Sequence, residues 1–471
     1  MEPLLLKYAS HHNFDIPFKT ELIDASLLED GTLSCTIKDL ITMFDYKIYV
    51  EYLLGADGGR SAVAAAFPFT FTRAPSQAVA CNIIFSADLS HLTKRREAQL
   101  YWILQPDTKS RFGQMPLIRA IRPWNQWMLI AITPGTEDES FLNLSPQTPG
   151  LNHYIKELIG DSTVDINIER VDSWAVRETV ADRYSWGRNI HLLGDAAHRH
   201  PPAHGMGSNI SVQDAYNRAW KVAYVSKGLA GPELLDSYTL ERQPIGANLV
   251  KKSNDLFRVH VEAFQSLGLL ATTPEEGLKQ MNEIKESTVA GATRRELLYN
   301  GLEATGREGR NIGLTMNQCL VSKAIYLADE PFPQPLPRGD LITDVHVSPF
   351  PGSRLPHAWL GDTAAGRKEV STQDRAGKGA FCLLTGHGGE SWHRAAESIA
   401  NKTGTPINHY GIGLGLDYYD RYRQWQRVRE VNEDGCLLVR PDRVIAWRAI
   451  ALASECEDKL LDVLNFVLSR A

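Results

Sequence analysis

The sequence predicts a multidomain α/β protein, and three observations carry that prediction. A hydrophobic run, His191–Leu193, ends in Gly194-Asp195; about a dozen residues later Gly205-Met206-Gly207 opens a helical pattern, the order of a strand, a tight turn and a helix N-terminus. Short apolar runs divided by Pro and Gly fill the first fifty residues and the stretch from Leu100 to Thr133. The length, 471 residues, corresponds to two to four domains at roughly 150 residues each.

Taken in order, strands are expected at Phe18–Leu22, Leu33–Ile37 and Tyr46–Leu54, separated by turn clusters such as Glu29-Asp30-Gly31. Leu100–Leu104, Leu117–Ile121 and Trp127–Ile132 make a β-rich middle segment. After His191–Leu193 a helix is expected over Ser211–Lys227, with Ala215, Ala219, Val222 and Ala223 on the face that packs against the sheet. A second helical region runs from Glu233 towards Leu267. Between Glu330 and Pro337, Pro alternates with other residues, which removes backbone donors and reads as a linker. Beyond it, Gly379–Thr385 and Cys436–Val439 read as buried strands, and Arg440-Pro441-Asp442-Arg443 as a turn before Val444–Trp447. A compact α/β domain is therefore expected from residue 341 to the end.

Composition narrows the class of function. Apolar residues make up 43% and charged residues 23% of the chain, the balance of an ordinary globular protein. A net charge of −6 gives no footprint for a nucleic-acid backbone. No apolar run approaches the roughly 18–20 residues of a membrane-spanning helix, and Met1-Glu2-Pro3-Leu4-Leu5-Leu6 meets Lys7 instead of a secretion signal's long apolar core. Six cysteines without a C-x-x-C spacing fit reduced thiols and a cytoplasmic location.

The chemistry concentrates in two stretches. Gly194-Asp195 through Pro201-Pro202 to Gly205-Met206-Gly207-Ser208-Asn209 brings unpaired backbone N–H groups and the positive end of a helix to an anionic partner, with Asn209 expected near the cap. That partner is a phosphate, or a heterocycle that becomes anionic on reduction. Gly55-Ala56-Asp57-Gly58 repeats the logic: an Asp at a strand's C-terminal end orders amides around a dinucleotide or receives a ribose hydroxyl.

These stretches resemble the class A FAD-dependent aromatic hydroxylases, in their phenol and chlorophenol hydroxylase branch. Asp57-Gly58 is similar to that family's DG motif, and Gly194-Asp195 with Gly205-x-Gly207-x-Asn209 to its GD motif. The likeness continues through Asp214–Lys221, Leu235–Tyr238, Glu241–Pro244 and Pro351–His357 to Asp434–Asp442 and Trp447-Arg448. It implies an FAD-binding α/β region, N-terminally incomplete, over 1–66 and 186–270; a β-rich substrate segment over 67–185; a helical segment and Pro-rich linker over 271–340; and a thioredoxin-like domain over 341–471. The incompleteness is expected because the G-x-G-x-x-G turn that holds the FAD pyrophosphate in such proteins does not occur here, and Ala64 stands where the family's DG motif usually carries Arg.

The resemblance also implies FAD as cofactor, NADPH and O₂ as co-substrates, and hydroxylation of a small phenolic or related aromatic molecule through a C4a-hydroperoxyflavin, in a chain that is a candidate homodimer. Cofactor contacts fall on Asp195, Gly205, Met206, Gly207, Ser208, Asn209, Pro201, Asp57 and Gly58. Asp195 is assigned to the ribityl or phosphate side and the 205–209 amides to the flavin pyrimidine edge. Trp102, Trp127 and Trp174 are candidate aromatic walls, with plain sheet packing as their alternative. No catalytic residue is identified. Asp195, His198, His200 and His204 read as a helix-entry loop and not as a metal site. Cys382 reads as a small buried hydrophobe, without disulfide exchange activity. A rival of another class is a non-catalytic scaffold or dimerisation subunit that keeps the fold and has lost the cofactor.

Overall fold

The computed structural model describes residues 1–106, 112–113, 115–134, 143–334, 339–362 and 369–470. A helix, α1 (Glu2–His11), precedes an antiparallel meander of β1 (Thr20–Leu27), β2 (Leu33–Asp39) and β3 (Asp45–Val50). The run expected as one strand to Leu54 breaks in two: β4 (Leu53–Gly55) leaves the meander for another sheet. Next come a short helix α2 (Ala62–Ala66) and strands β5 (Phe71–Ser86), β6 (Leu100–Trp102), β7 (Leu117–Arg122), β8 (Gln126–Pro134), β9 (Asn167–Ala181), β10 (Ser185–Trp186), β11 (Ile190–Leu192) and β12 (His198–Arg199), with α3 (Leu151–Ile159) between β8 and β9. β5 to β9 and β12 build a six-stranded sheet in the order β12-β9-β5-β8-β7-β6. Its two longest strands, β5 and β9, escape sequence reading because β5 holds Pro75 and no clean alternation; the register skips from Ala74 to Ala78, a bulge of the kind that tolerates proline.

The period-2 alternation of β5 divides its side chains between two cores. Val79, Cys81, Ile83 and Phe85 pack with Trp127 and Leu129 against Leu151, Ile155 and Leu158 of α3. Ala78 and Ala80 face the other way, with Val176, towards Phe257 and Phe264 of a long helix, α5 (Ser237–Ser266).

Between β12 and α5 runs α4 (Gly207–Ser226). Here the expected packing is inverted. Ala215, Ala219 and Ala223 are exposed, whereas Asp214, Asn217, Arg218 and Lys221 are buried. Small alanines cost little to expose, and Asp214 and Lys221 tolerate burial because partners neutralise them, while Arg218 is held by the carbonyls of Leu235 and Arg188 and by the His191 ring, with burial lowering its pKa to about 10. Lys221 Nζ meets Glu241 Oε2 at 2.7 Å, and Arg440 forks onto Glu241 at 2.7 and 3.0 Å. Arg440 also reaches Asp442, and Ser322 Oγ donates to Glu241 at 2.6 Å. Lys221 and Arg440 are 0% exposed and Glu241 2%.

The segment after α5 carries helices Pro274–Glu283 and Val289–Gly306. Glu330–Gln334 adopts neither helix nor strand; Pro335–Pro337 of the expected linker lies outside the described residues. The start of that linker is pinned, for Arg448 pairs with Glu330 at 2.8 Å and Trp447 Nε1 donates to Asp329 at 2.7 Å. The C-terminal domain has β13 (Trp359–Asp362), β14 (Val370–Ser371), β15 (Phe381–Thr385), α6 (Glu390–Thr403), β16 (Ile407–Gly411), β17 (Tyr418–Tyr419), β18 (Cys436–Val439), β19 (Ile445–Ala449) and α7 (Cys456–Val467). Parallel β15 and β16, joined by α6, continue into the antiparallel hairpin β18–β19 in the order β16-β15-β18-β19, a thioredoxin-like arrangement. Its core includes Trp220 and Tyr224 of α4, and Tyr224 Oη donates to the Gly379 carbonyl at 3.0 Å. Cys382 is wholly buried, its thiol pushed up to about 12 by that burial, and all six cysteines are free.

Removing one partner of a buried ion pair strands the others. Glu241→Ala is expected to cost about 3–5 kcal/mol of unfolding free energy, whereas Lys402→Ala, which breaks the exposed Lys402–Glu457 pair, leaves the urea midpoint unchanged. Equal midpoints for Glu241→Ala and the parent chain would contradict the role given to this network.

Candidate functional site at the ends of two parallel strands

β4 and β11 lie side by side and parallel, with Leu54 opposite His191 and Gly55 opposite Leu192. The two motifs, far apart in sequence, therefore leave the same sheet edge together, the place where ligands collect in open α/β sheets. On the β4 side Gly58 has φ +79°, Asp57 Oδ2 accepts from the Val63 amide at 3.3 Å, and Ser61 Oγ caps α2 through the Ala64 amide at 2.9 Å. On the β11 side Gly194 has φ +56°, and a Cβ there would stand 2.7 Å from Ser211 Oγ, so both conformation and close approach require glycine. Its amide donates to Asp214 Oδ2 at 3.2 Å. The same carboxylate takes His198 Nε2 at 3.0 Å and Arg242 Nε at 2.8 Å. Asp195 is different: its side chain is exposed and bonds to no protein group among the described residues.

The turn into α4 holds two consecutive left-handed residues, His204 at φ +68° and Gly205 at φ +61°. His204 keeps this unusual conformation because its amide donates to Glu308 Oε1 at 3.1 Å and its carbonyl accepts from Asn311 Nδ2 at 2.6 Å. Pro201 is buried and Pro202 exposed. α4 begins at Gly207, four residues before the expected start, with Met206 at the cap and no side chain satisfying the first amides. Asn209 is thus not the cap; it sits inside the first turn and donates back to the Gly205 carbonyl at 3.1 Å. The amides of Gly207, Ser208 and Asn209 have no acceptor among the described residues. Nothing lies within 4 Å of where a Cβ would stand on Gly58 or Gly205, and Gly207 meets only His200, at 3.6 Å. Met206, by contrast, packs with Ile210 and Leu249. An open cleft of about 600 Å³ continues along the exposed side of α4, from Asn209 past Val212 to Tyr216.

The histidines diverge. His198 is fully buried on Asp214, His200 Nδ1 lies 2.7 Å from the Pro201 carbonyl, and His204 is buried beside Glu308. Among the described residues no three His, Cys, Asp or Glu are placed to hold a metal. Burial lowers the pKa of His200 and of His204, and His191 is pushed down to about 2, first by burial and then by the Arg218 charge beside it.

The three candidate wall residues separate. Trp127 is a core residue, 0% exposed, with Nε1 donating to the Ala87 carbonyl at 3.1 Å, on the α3 side of the sheet. Trp102 and Trp174 lie on the α5 side, where Trp102 meets His260 and Phe264 edge-on at 5.4 and 4.8 Å. Sequence reading missed Glu308 and Asn311, which sit in a charged turn without any motif, and gave Asp214 and Arg242 no role, although i to i+3 and i+7 spacing of Asp214, Asn217 and Lys221 marks one helix face.

Two parallel strands delivering glycine-rich, amide-bearing turns to one mouth define a nucleotide-cofactor α/β protein. A family model described as FAD binding domain matches residues 1–253, and one described as aromatic-ring hydroxylase, C-terminal, matches 348–471. The chain is 34% identical to 2,4-dichlorophenol 6-monooxygenase of Delftia acidovorans over all of this chain and 78% of that protein. It is 35% identical to phenol 2-monooxygenase of a Pseudomonas species over 99% of this chain and 73% of that one. The solved structure of the flavin-dependent monooxygenase PieE with FAD and substrate superposes with a TM-score of 0.89 at 34% identity, covering 100% of this chain and 79% of PieE. The chain belongs to the FAD-dependent aromatic-ring hydroxylase family. Among the described residues no helix is long and apolar enough to cross a membrane.

Two outcomes are expected here. Gly194→Ala clashes with Ser211 and loses soluble expression or several degrees of melting temperature, whereas Gly205→Ala, which adds a methyl to open space, costs only the left-handed backbone penalty of about 1–2 kcal/mol; equal melting temperatures for the two variants would refute this reading. His191 stays neutral in the folded chain but titrates near 6.5 when unfolded, so the unfolded state binds the extra proton: the stability is complete above pH 6.5 and falls as pH drops below it, by about 1.4 kcal/mol per pH unit. Urea unfolding at pH 7.5, 6.0 and 5.0 measures this slope, which His191→Gln should flatten.

Proposed function

We propose that this protein is an FAD-dependent, NADPH- and O₂-using monooxygenase that hydroxylates a phenolic or related aromatic compound. The observation that carries the reading is the open, amide-lined mouth at Gly205–Asn209 beside the exposed Asp195. Its empty glycine positions and unpaired N–H groups fit a flat ring that gains negative charge. FAD supplies the redox chemistry when bound, taking reducing equivalents from NADPH and activating O₂ towards an electron-rich ring.

This chain's residues bind, orient and shield. The amides of Gly207, Ser208 and Asn209 would hold the pyrimidine edge of the flavin, where a helix terminus would contribute about 0.3–1 kcal/mol towards a developing negative charge. Asp195 would hold the ribityl or phosphate side of FAD, and Asp57-Gly58 the neighbouring part of the cofactor. Pro201 and Pro202 would stiffen the loop along the flavin; Met206, packed with Ile210 and Leu249, supports that loop from the core side. Trp102 and Trp174, with Phe264, offer an apolar wall that keeps water from an aromatic substrate. The likeness to two phenol-hydroxylating proteins supports the substrate class.

Titration of the purified chain with FAD, followed by quenching of flavin fluorescence, is expected to show saturable binding, weakened about tenfold or more by Asp195→Ala. No binding up to millimolar FAD would overturn the proposal and favour the scaffold rival.

A further inference from the structure

Three arginines gather on the adjacent strands β12, β9 and β5 at one end of the six-stranded sheet, beside the two motif turns. Arg73 on β5 and Arg199 on β12 both pair in register with Thr179 of β9, one from each side, and Arg177 lies two residues along β9. Directly paired residues, and residues two apart, share one face of a sheet. The guanidinium carbons of Arg73 and Arg199 stand 5.5 and 5.4 Å from the centre of the same Phe71 ring, which fixes both groups.

None of the three is within salt-bridge distance of a carboxylate among the described residues, whereas neighbouring cations are paired: Arg170 with Asp172, Arg188 with Glu233 and Asp236, Arg258 with Glu178 and Asp255. Burial first, and then the Arg177 and Arg73 charges, lower the pKa of Arg199, with Asp195 and Asp57 offsetting in part. Three uncompensated guanidiniums held together repel one another unless an anion sits among them.

Their position says which anion. The Arg199 side chain lies 3.6 Å from the Cβ position of Gly59, and its Nε donates to the Asp195 carbonyl at 3.1 Å, so the cluster borders the mouth shared by Asp57-Gly58 and Gly194-Asp195. Planar guanidinium forks match phosphate oxygens two at a time, and the exposed Asp57 and Asp195 carboxylates beside them accept sugar hydroxyls. A ligand with phosphate and sugar adjacent satisfies both halves.

We propose that Arg73, Arg177 and Arg199 form a phosphate-binding site that takes a phosphoryl group of a dinucleotide, the diphosphate of FAD or a phosphate of NADPH. The inference rests on the flavin reading for the identity of the dinucleotide, while the phosphate site itself can be tested apart from it. Arg73 and Arg177 are exposed and their replacement leaves the core intact.

The test compares the full chain with Arg73→Gln/Arg177→Gln for binding of FAD, riboflavin, NADPH, NADH and inorganic pyrophosphate by calorimetry at low and high salt. The double variant is expected to lose about tenfold or more in affinity for the phosphate-bearing ligand, more at low salt than at high, with riboflavin unchanged. A loss for FAD alone assigns the flavin diphosphate; a loss for NADPH but not NADH assigns the 2′-phosphate; a loss for both nicotinamide dinucleotides assigns their diphosphate. Pyrophosphate binding that the variant loses, in a chain that binds neither FAD nor NADPH, upholds the site and defeats the flavin reading. Wild-type affinity of the variant for every phosphate ligand, an equal loss for riboflavin, or no pyrophosphate, FAD or NADPH binding by the parent chain overturns the proposal.

Discussion

The buried carboxylate of Asp214 is the constraint on which the site depends. It is 0% exposed, and it simultaneously holds the amide of Gly194, the imidazole of His198 and the guanidinium of Arg242. Burial by itself raises its pKa, but the bond from His198 and the charge of Arg242 hold it below the usual carboxylate range, so it stays ionised. One charge thereby sets where β11 ends, how α4 crosses it and where α5 lies. The turn that carries Asp195 is aimed by a residue that never reaches the mouth.

A second buried charge, Glu241, does for domains what Asp214 does for strands. It joins Lys221 of α4, Ser322 of the connecting segment and Arg440 of the C-terminal domain. Because α4 begins with the unpaired amides of Gly207–Asn209 and ends packed by Trp220 and Tyr224 into the thioredoxin-like core, the helix ties the mouth to that domain. Asparagine and ion-pair partners satisfied on every side make such burial tolerable where a lone charge would not be. Within the C-terminal domain Cys382 is wholly buried, and that burial pushes its thiol up to about 12.

Around the mouth the chain separates two kinds of recognition. Free amides at a helix N-terminus offer partial positive charge, while β12, β9 and β5 of the six-stranded sheet concentrate full positive charge at Arg199, Arg177 and Arg73. Glu308 and Asn311 clamp the His204 backbone from outside, so the left-handed turn is held without a glycine at that position.

The Gly194-Asp195 and Gly205–Asn209 motifs, the strand before them and the hairpin strands after Arg440 were legible because glycines, prolines and apolar runs act locally: they restrict φ and remove donors wherever the chain goes. The sequence by itself determined those turns and the family. Only the tertiary structure decided which face of α4 is buried, because a helix rich in Asp, Arg and Lys looks solvent-facing until Arg242 and Glu241 arrive from α5 to neutralise Asp214 and Lys221, and the Leu235 and Arg188 carbonyls to hold Arg218. The same holds for Trp127 against Trp102 and Trp174: Trp127 sits opposite Phe85, Trp174 opposite Ala80 and Trp102 opposite Leu117, and that cross-strand register, which no local pattern reveals, sends Trp127 to the α3 core and the other two to the α5 side.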